Sequence, residues 1–398
     1  MKKPLRKIAF VLIVFGLIGG SIYASGILVK PNFLTTKSLD EVPVYDILSF
    51  QAQREQEILA EVRLEQYSFS DPYVIIDPYE MNPLSALVAF EVDSAAEYVI
   101  TVLANHAYAQ LTTRVFYDPG IVALPIIGLF PDTVNTVLID NGQSIITLSI
   151  ETEPLPLDFQ KIDVIESKPE QMQEGFTLFV ACFDHSYTAL VDQDGAIRAY
   201  FSNTDMAHGT SVISLPNGHL LGTGDELKQV PYNMTSLWEF DWLGRVYQEI
   251  ELPNGAHHDL SLLPDGKVLV VSNHERMFET GTREDVALIV DLQTGDILTT
   301  YDFRTILDET RAPFNNFHPN ILNALNIDWM HMNGAVYDPQ NDWLIVSSPI
   351  QSQVVAIDAK TKEIQWILGP HEGYEGSSAF LKSYLLTPIG EDFQWQWA

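Results

Sequence analysis

The feature that most constrains this chain is a phrase written four times in its second half: a strand, an aspartate, a tight turn, a second strand. It reads Leu190-Val-Asp-Gln-Asp-Gly-Ala-Ile197, Trp238-Glu-Phe-Asp-Trp-Leu-Gly-Arg-Val246, Ile289-Val-Asp-Leu-Gln-Thr-Gly-Asp-Ile297 and Val355-Ala-Ile-Asp-Ala-Lys-Thr-Lys-Glu-Ile364. A second phrase interleaves with it: Ile213-Ser-Leu-Pro-Asn-Gly-His-Leu-Leu221, Ser261-Leu-Leu-Pro-Asp-Gly-Lys-Val-Leu269 and Val336-Tyr-Asp-Pro-Gln-Asn-Asp-Trp-Leu-Ile345. The first two members of this second series lie 48 residues apart. Two hairpins in a repeat of that length make one four-stranded blade, so residues 175–398 are expected to form a β-propeller.

Upstream, six short β-rich runs lie between Tyr73 and Glu153, separated by turn clusters such as Asp118-Pro-Gly120 and Asn141-Gly142. Runs at that spacing predict a small β-sandwich over residues 70–155. Residues 30–69 read as a polar linker or stalk, with an amphipathic helix over Gln53–Leu64. The expected fold class is therefore all-β, a sandwich followed by a propeller.

The N-terminus adds a separate element. Lys2, Lys3, Arg6 and Lys7 precede Ile8 to Val29, twenty-two residues without a charge and long enough to span a bilayer. Residues 1–29 are therefore expected to be a signal peptide or an uncleaved membrane anchor, and Ser21 to Gly26 offers small residues where a peptidase could cut. Either alternative retains the basic end inside and exports the rest, to the periplasm or the cell surface.

Charge and cysteine content narrow the partners. A formal charge of −31 makes nucleic acid and anionic membrane surfaces poor partners, because like charges repel within a Debye length. The membrane is met only through the N-terminal segment. An anionic substrate has to be held locally, by neutral donors, histidines or a well-placed arginine. The single cysteine, Cys182, excludes an intrachain disulfide framework, so the core itself must supply stability.

Three segments carry chemistry. They are Gly255-Ala-His-His-Asp-Leu-Ser-Leu-Leu-Pro-Asp-Gly266, Asp328-Trp-Met-His-Met-Asn333 with Tyr337-Asp-Pro and Ser347-Ser348 downstream, and Lys362-Glu-Ile-Gln-Trp-Ile-Leu-Gly-Pro-His-Glu-Gly-Tyr374. Together with Asn82-Pro-Leu-Ser-Ala-Leu87 and Ile127-Gly-Leu-Phe-Pro131, they resemble the bacterial arylsulfate sulfotransferases over about residues 70 to 398. The run from Trp-x-His-x-Asn to Ser-Ser is the specific part of the resemblance, since the Asp-turn repeats alone would fit any propeller.

The resemblance implies transfer of a sulfuryl group from an aryl sulfate ester to a phenolic acceptor, through a sulfated histidine and without a nucleotide donor. It implies no cofactor and no metal, small-molecule donor and acceptor as partners, and a propeller of six blades in the full-length parent; a homodimer is left open. Carried over residue by residue, His331 and Asn333 match the active-site histidine and asparagine, whose role is to hold sulfate oxygens and the leaving oxygen. Either His257 or His258 matches the third position, with His258 preferred. In a regular strand adjacent side chains face opposite ways, so only one of the two is expected to serve. His208, His274, His318 and His371 are expected to be structural or solvated. A metal site from His257, His258 and Asp259 with His331 lacks the close ligand spacing that would support it.

Two departures from the family pattern stand out. The arginine expected after Ser-Ser, which would clamp the sulfate, is Pro349 here, and Arg283, Arg304 and Arg311 are the candidates to replace it. The sulfated histidine, expected soon after Leu385-Leu-Thr-Pro388, would fall past Phe393-Gln-Trp-Gln-Trp-Ala398. The sequence accordingly reads as a C-terminally truncated piece, inactive as written, of an active parent.

Two other functions stay open. One is a non-catalytic extracellular propeller that binds a ligand. The other is a quinone-dependent dehydrogenase, because Thr361-Lys-Glu-Ile-Gln-Trp366 resembles the tryptophan-docking repeats of those propellers.

Overall fold

A computed structural model describes residues 46–104, 110–173, 175–182, 186–201, 212–228, 233–274, 286–311 and 329–390. The chain divides into two compact units, residues 1–50 and 51–398. The apolar segment Ile8 to Val29 lies outside the described residues. Among those residues no helix is long and apolar enough to cross a membrane.

Helix α1 runs Ile47–Glu65. Asp46 caps it, accepting the Ser49 N–H at 3.1 Å as an N-cap carboxylate should, and its hydrogen bonds from Ser49 hold the carboxyl below its ordinary value. Within the second unit α1 is packed rather than standing free as a stalk. Ile58 joins Tyr79, Leu87 and Leu243 in one apolar cluster. The fully buried Gln51 carboxamide donates to the carbonyls of Tyr79 (3.1 Å) and Gly244 (2.9 Å) and accepts the Val246 N–H at 2.7 Å. One side chain thus joins the helix, the sandwich and the Asp241 turn of the propeller.

The sandwich holds seven antiparallel strands: β1 (Tyr73–Ile76), β2 (Ala86–Val92), β3 (Ala96–Val102), β4 (Leu111–Tyr117), β5 (Gly120–Ile126), β6 (Thr133–Asp140) and β7 (Ile145–Thr152). They form one sheet in the order β1-β2-β5 and another in the order β4-β3-β6-β7. The alternating burial of β3 and β6 turns Tyr98, Ile100, Val102, Val137 and Ile139 toward Phe90, Val122 and Leu124 of the facing sheet. The sequence predicts six strands and misses β5. That strand carries Pro125, which is tolerated because β5 is the edge of its sheet.

Beyond the sandwich come β8 (Thr177–Cys182), β9 (Ser186–Val191), β10 (Ile197–Phe201), β11 (Ile213–Ser214), β12 (Leu220–Lys228), β13 (Asn233–Phe240), β14 (Val246–Leu263), β15 (Lys267–Ser272), β16 (Val286–Asp291), β17 (Ile297–Asp302), β18 (Gly334–Asp338), β19 (Trp343–Ser348), β20 (Gln353–Asp358) and β21 (Ile364–Leu368). They form antiparallel meanders of propeller type: β8 to β10, β11 to β17, and β18 to β21, each paired in sequence order. The all-β sandwich-plus-propeller class expected from the repeats is the one observed.

The repeated aspartate has a physical task. In each turn one carboxylate oxygen accepts backbone N–H groups two to four residues on: Asp192 from Asp194 and Ala196, Asp241 from Leu243 and Arg245, Asp291 from Gln293 and Thr294, and Asp358 from Lys360 and Thr361. These Asx turns reverse the chain, and each closes on a residue in left-handed backbone: Gly195, Gly244, Gly295 or Lys362. At Gly244 glycine is required twice over, since φ is 84° and a Cβ would stand 2.3 Å from that of Met81.

The middle sheet has seven strands because β14 serves two blades. Its first part pairs with β13 (Leu237↔Ile250) and its last part with β15 (Leu260↔Val270), so one 18-residue strand is the outermost strand of one blade and the innermost of the next. The crossing point is Ala256, which pairs with both Met234 and Ser272. Immediately after it come His257 and His258.

Candidate active site

Between Ala256 and Leu260 the register with β15 slips: three residues of β14, His257, His258 and Asp259, stand opposite Val271 alone. Such a bulge needs a residue outside the extended region, and His258 takes it with φ 57°. The strict alternation expected of a strand therefore fails at this point. The two neighbouring rings stand 5.2 Å apart in an edge-to-face arrangement, with His257 buried and His258 half-buried.

The second segment approaches from the next blade. Met330 and Met332 are fully buried in a core shared with Trp329, Leu344 and Val346. His331 is half-buried and Asn333 exposed, outside that core. His331 also lies in left-handed backbone, with φ 53°. Its ring centroid is 5.2 Å from that of His258, the planes tilted by 56°. Three imidazoles, His257, His258 and His331, thus lie in a chain, with His258 in the middle, at the start of the innermost strands of two adjacent blades.

Side chains of β14 fasten these blades together. Asp259 accepts the Ala335 N–H at 3.0 Å, and Ser261 donates to the Ala335 carbonyl at 2.8 Å. Both polar groups of one buried residue, the second of β18, are satisfied by the strand that carries the histidines. Gly334 lies inside this seam, where a Cβ would meet the Ser347 hydroxyl at 3.3 Å and the Asp259 carboxylate at 3.6 Å. From below, Ser348 donates to the Met330 carbonyl and Gln351 to that of Trp329 at 2.6 Å. Sequence reasoning names Asp259 only as a metal ligand and gives Ser261 and Gln351 no role. Their signal was weak because they act on the main chain, and a polar residue beside a motif looks like any loop residue.

His274 lies 3.5 Å from Asp302, whose carboxylate also takes Arg304 at 2.8 Å. Burial alone would raise the Asp302 carboxyl, but the hydrogen bonds and charge of Arg304, helped by His274, outweigh it and hold the group below its usual range. His371 is exposed and meets the Leu386 carbonyl at 2.9 Å. Arg304 is thus committed to Asp302, and Arg311 is buried against backbone carbonyls. Arg283, His208, His318 and Asp328 lie outside the described residues. Among those described, no group of three or more His, Cys, Asp or Glu side chains is arranged to hold a metal ion.

This arrangement defines a class: a β-propeller protein, preceded by a sandwich domain, with a histidine cluster between adjacent inner strands. Comparison with known families identifies it further. Residues 73–152 match the model of the arylsulfotransferase Ig-like domain and residues 161–398 that of the arylsulfotransferase (ASST) family, so the chain belongs to the arylsulfotransferase family. It is 24% identical to the arylsulfate sulfotransferase AssT of Escherichia coli O6:H1 and 22% identical to that of Lelliottia amnigena. Both alignments span 79% of this chain and 66% of the relative, just under two thirds of those proteins. Among solved structures, a protein of unknown function from Bacteroides caccae aligns over 70% of this chain and 94% of its own, at 11% identity and a TM-score of 0.33.

Proposed function

We propose that the gene product transfers a sulfuryl group from an aryl sulfate ester to a phenolic acceptor, with no nucleotide, at the site that contains His258, His331 and Asn333. The observation that carries this is the 5.2 Å approach of the His258 and His331 rings from two different blades. Membership of the family supports the same reaction class.

The chemistry requires these residue types. A neutral imidazole nitrogen attacks the sulfur, the S–O bond to the aryl group breaks, and the phenolate leaves with a proton from a second acid. In the return step the acceptor phenol gives its proton to a base while its oxygen attacks sulfur and the S–N bond breaks. Imidazoles suit the acid, base and nucleophile roles because they titrate near neutrality. In this proposal His258 and His331 hold the sulfate oxygens and the leaving oxygen, Asn333 donates to the sulfate from its exposed position, and His257 backs His258. The covalent step belongs to a histidine, as the family resemblance implies. The apolar run Ile8 to Val29 supports exporting this site, so that the reaction takes place outside the cytoplasm.

The test uses the intact gene product, para-nitrophenyl sulfate and a phenol, with no nucleotide added. The expected result is acceptor-dependent release of nitrophenol, the mass of one SO3 group on a histidine after donor alone, and loss of turnover in His331→Gln and His258→Gln. Turnover that survives both substitutions would exclude the assigned residues. Absence of any transfer, with histidine ring signals unmoved by donor, would leave only a non-catalytic propeller.

A further inference from the structure

His331 sits in left-handed backbone, with φ 53°, a conformation uncommon for a residue other than glycine. A non-glycine residue in left-handed backbone persists only where its surroundings impose it. Here the two carbonyls just before it are both gripped, Met330 by the Ser348 hydroxyl and Trp329 by Gln351 Nε2 at 2.6 Å. Both donors are buried, with exposures of 0% and 1%. The Gln351 N–H also reaches the Ser348 hydroxyl at 3.3 Å, which couples the two grips.

The orientation of the Gln351 carboxamide is fixed from behind. Arg311 Nη1 donates to Gln351 Oε1 at 2.6 Å and to the Gln351 carbonyl at 3.1 Å. A guanidinium has only donors, so it must face the amide oxygen, and that turns the amide nitrogen toward Trp329. Arg311 is held in turn by the Gly373 carbonyl at 3.2 Å and by the ring of Tyr374, 4.2 Å below its guanidinium carbon. The buried relay therefore starts in the His-Glu-Gly-Tyr374 segment and ends on the two peptide groups that set the direction of His331.

We infer that Gln351, oriented by Arg311 and assisted by Ser348, is a positioning residue for His331. In this chain the arginine near the Ser-Ser segment orders the loop that presents the histidine, and Pro349 takes the position where the family carries a sulfate clamp. All three side chains are buried. The catalytic part of this inference rests on the proposed role of His331, whereas the geometric part does not.

Gln351→Glu and Gln351→Leu separate packing from positioning. The glutamate keeps an oxygen for Arg311 but cannot donate to Trp329, so folding should be retained while His331 loses its guide. The expected outcome for Gln351→Glu is a thermal transition lowered by the stranded Trp329 carbonyl but still above the assay temperature, kcat for para-nitrophenyl sulfate per folded protein down about tenfold with KM little changed, and shifted His331 ring resonances, identified with His331→Gln. Ser348→Ala should act likewise, and Ser348→Thr, which keeps the hydroxyl at the cost of one extra buried methyl, should recover most of the lost kcat. A Gln351→Glu protein with wild-type kcat and an unmoved His331 signal overturns the inference, as does a loss of kcat that merely follows the folded fraction. If the wild-type protein transfers no sulfate, the proposed function fails, and the ring resonances of Gln351→Leu still decide the positioning role: unmoved signals overturn it.

Discussion

Replacing Asp259 tests whether the histidine bulge and the next blade are held together as described. Its carboxylate accepts the buried Ala335 N–H at 3.0 Å, and Ser261 serves the carbonyl of the same residue. A hydrogen bond to a charged group contributes about 1.5–3 kcal/mol, and Asp259→Ala also strands a buried donor, so a loss of about 2–3 kcal/mol is expected. Asp259→Asn can still accept from Ala335 through its amide oxygen and should lose only about 1 kcal/mol, the difference between a charged and a neutral acceptor. Ser261→Ala should cost about 1 kcal/mol, and the double variant should deviate from additivity because both side chains grip one peptide segment. Urea unfolding followed by tryptophan fluorescence, with midpoint shifts converted through the wild-type slope, gives these values. An Asp259→Ala protein within about 0.5 kcal/mol of wild type, the range of an ordinary surface substitution, would refute the reasoning. So would an Asn variant as damaged as the Ala variant.

Gln51→Leu keeps the volume of the side chain but leaves the Val246 N–H and the Tyr79 and Gly244 carbonyls without their partner. A loss on the order of 3 kcal/mol is expected from the urea midpoint, at about 1 kcal/mol for each group. Burial would raise the Asp308 carboxyl, but hydrogen bonds from Thr310, Ser377 and Ser378 hold it at about 2. A depressed folded value means stability that is fully present above the unfolded value near ~3.9 and lost as pH falls through the folded one. Acid titration of Ser378→Ala, followed by circular dichroism, should therefore show a smaller loss of stability than wild type between about pH 4 and pH 2. Identical acid profiles would show that the Asp308 cluster contributes nothing.

How much of this was legible in the sequence depended on whether the controlling interaction was local. The four Asp-turn phrases could be read because Asp192, Asp241, Asp291 and Asp358 each build their turn within a few residues. Strand β5 was hidden by Pro125 and by the preceding Asp118-Pro-Gly120, which together look like one long turn; only its place at a sheet edge makes the proline acceptable. The histidines could be found by resemblance, but their geometry could not. Left-handed backbone at His258 and His331 is imposed from elsewhere in the chain, by the slip against Val271 and by carbonyl grips from Ser348 and Gln351. Neither leaves a glycine as a marker. Arg311 shows the same limit: its sequence position permitted an anion clamp, and only the packing around Gln351 and Tyr374 reveals that its donors are already committed.

The turn built on one aspartate has a consequence for how such a chain can diverge. Each of these turns is specified by a carboxylate at its entrance and a left-handed residue near its exit, and the carboxylate reads peptide N–H groups, which every residue but proline supplies. The turn itself therefore sets little demand on the residues between, as Gln193-Asp194, Leu292-Gln-Thr294 and Ala359-Lys-Thr361 differ from one another, while Leu243 is held by its packing on Ile58, Tyr79 and Leu87. A rim assembled this way can vary its surface chemistry, or accept grafted residues, while the register of the blades beneath it stays fixed.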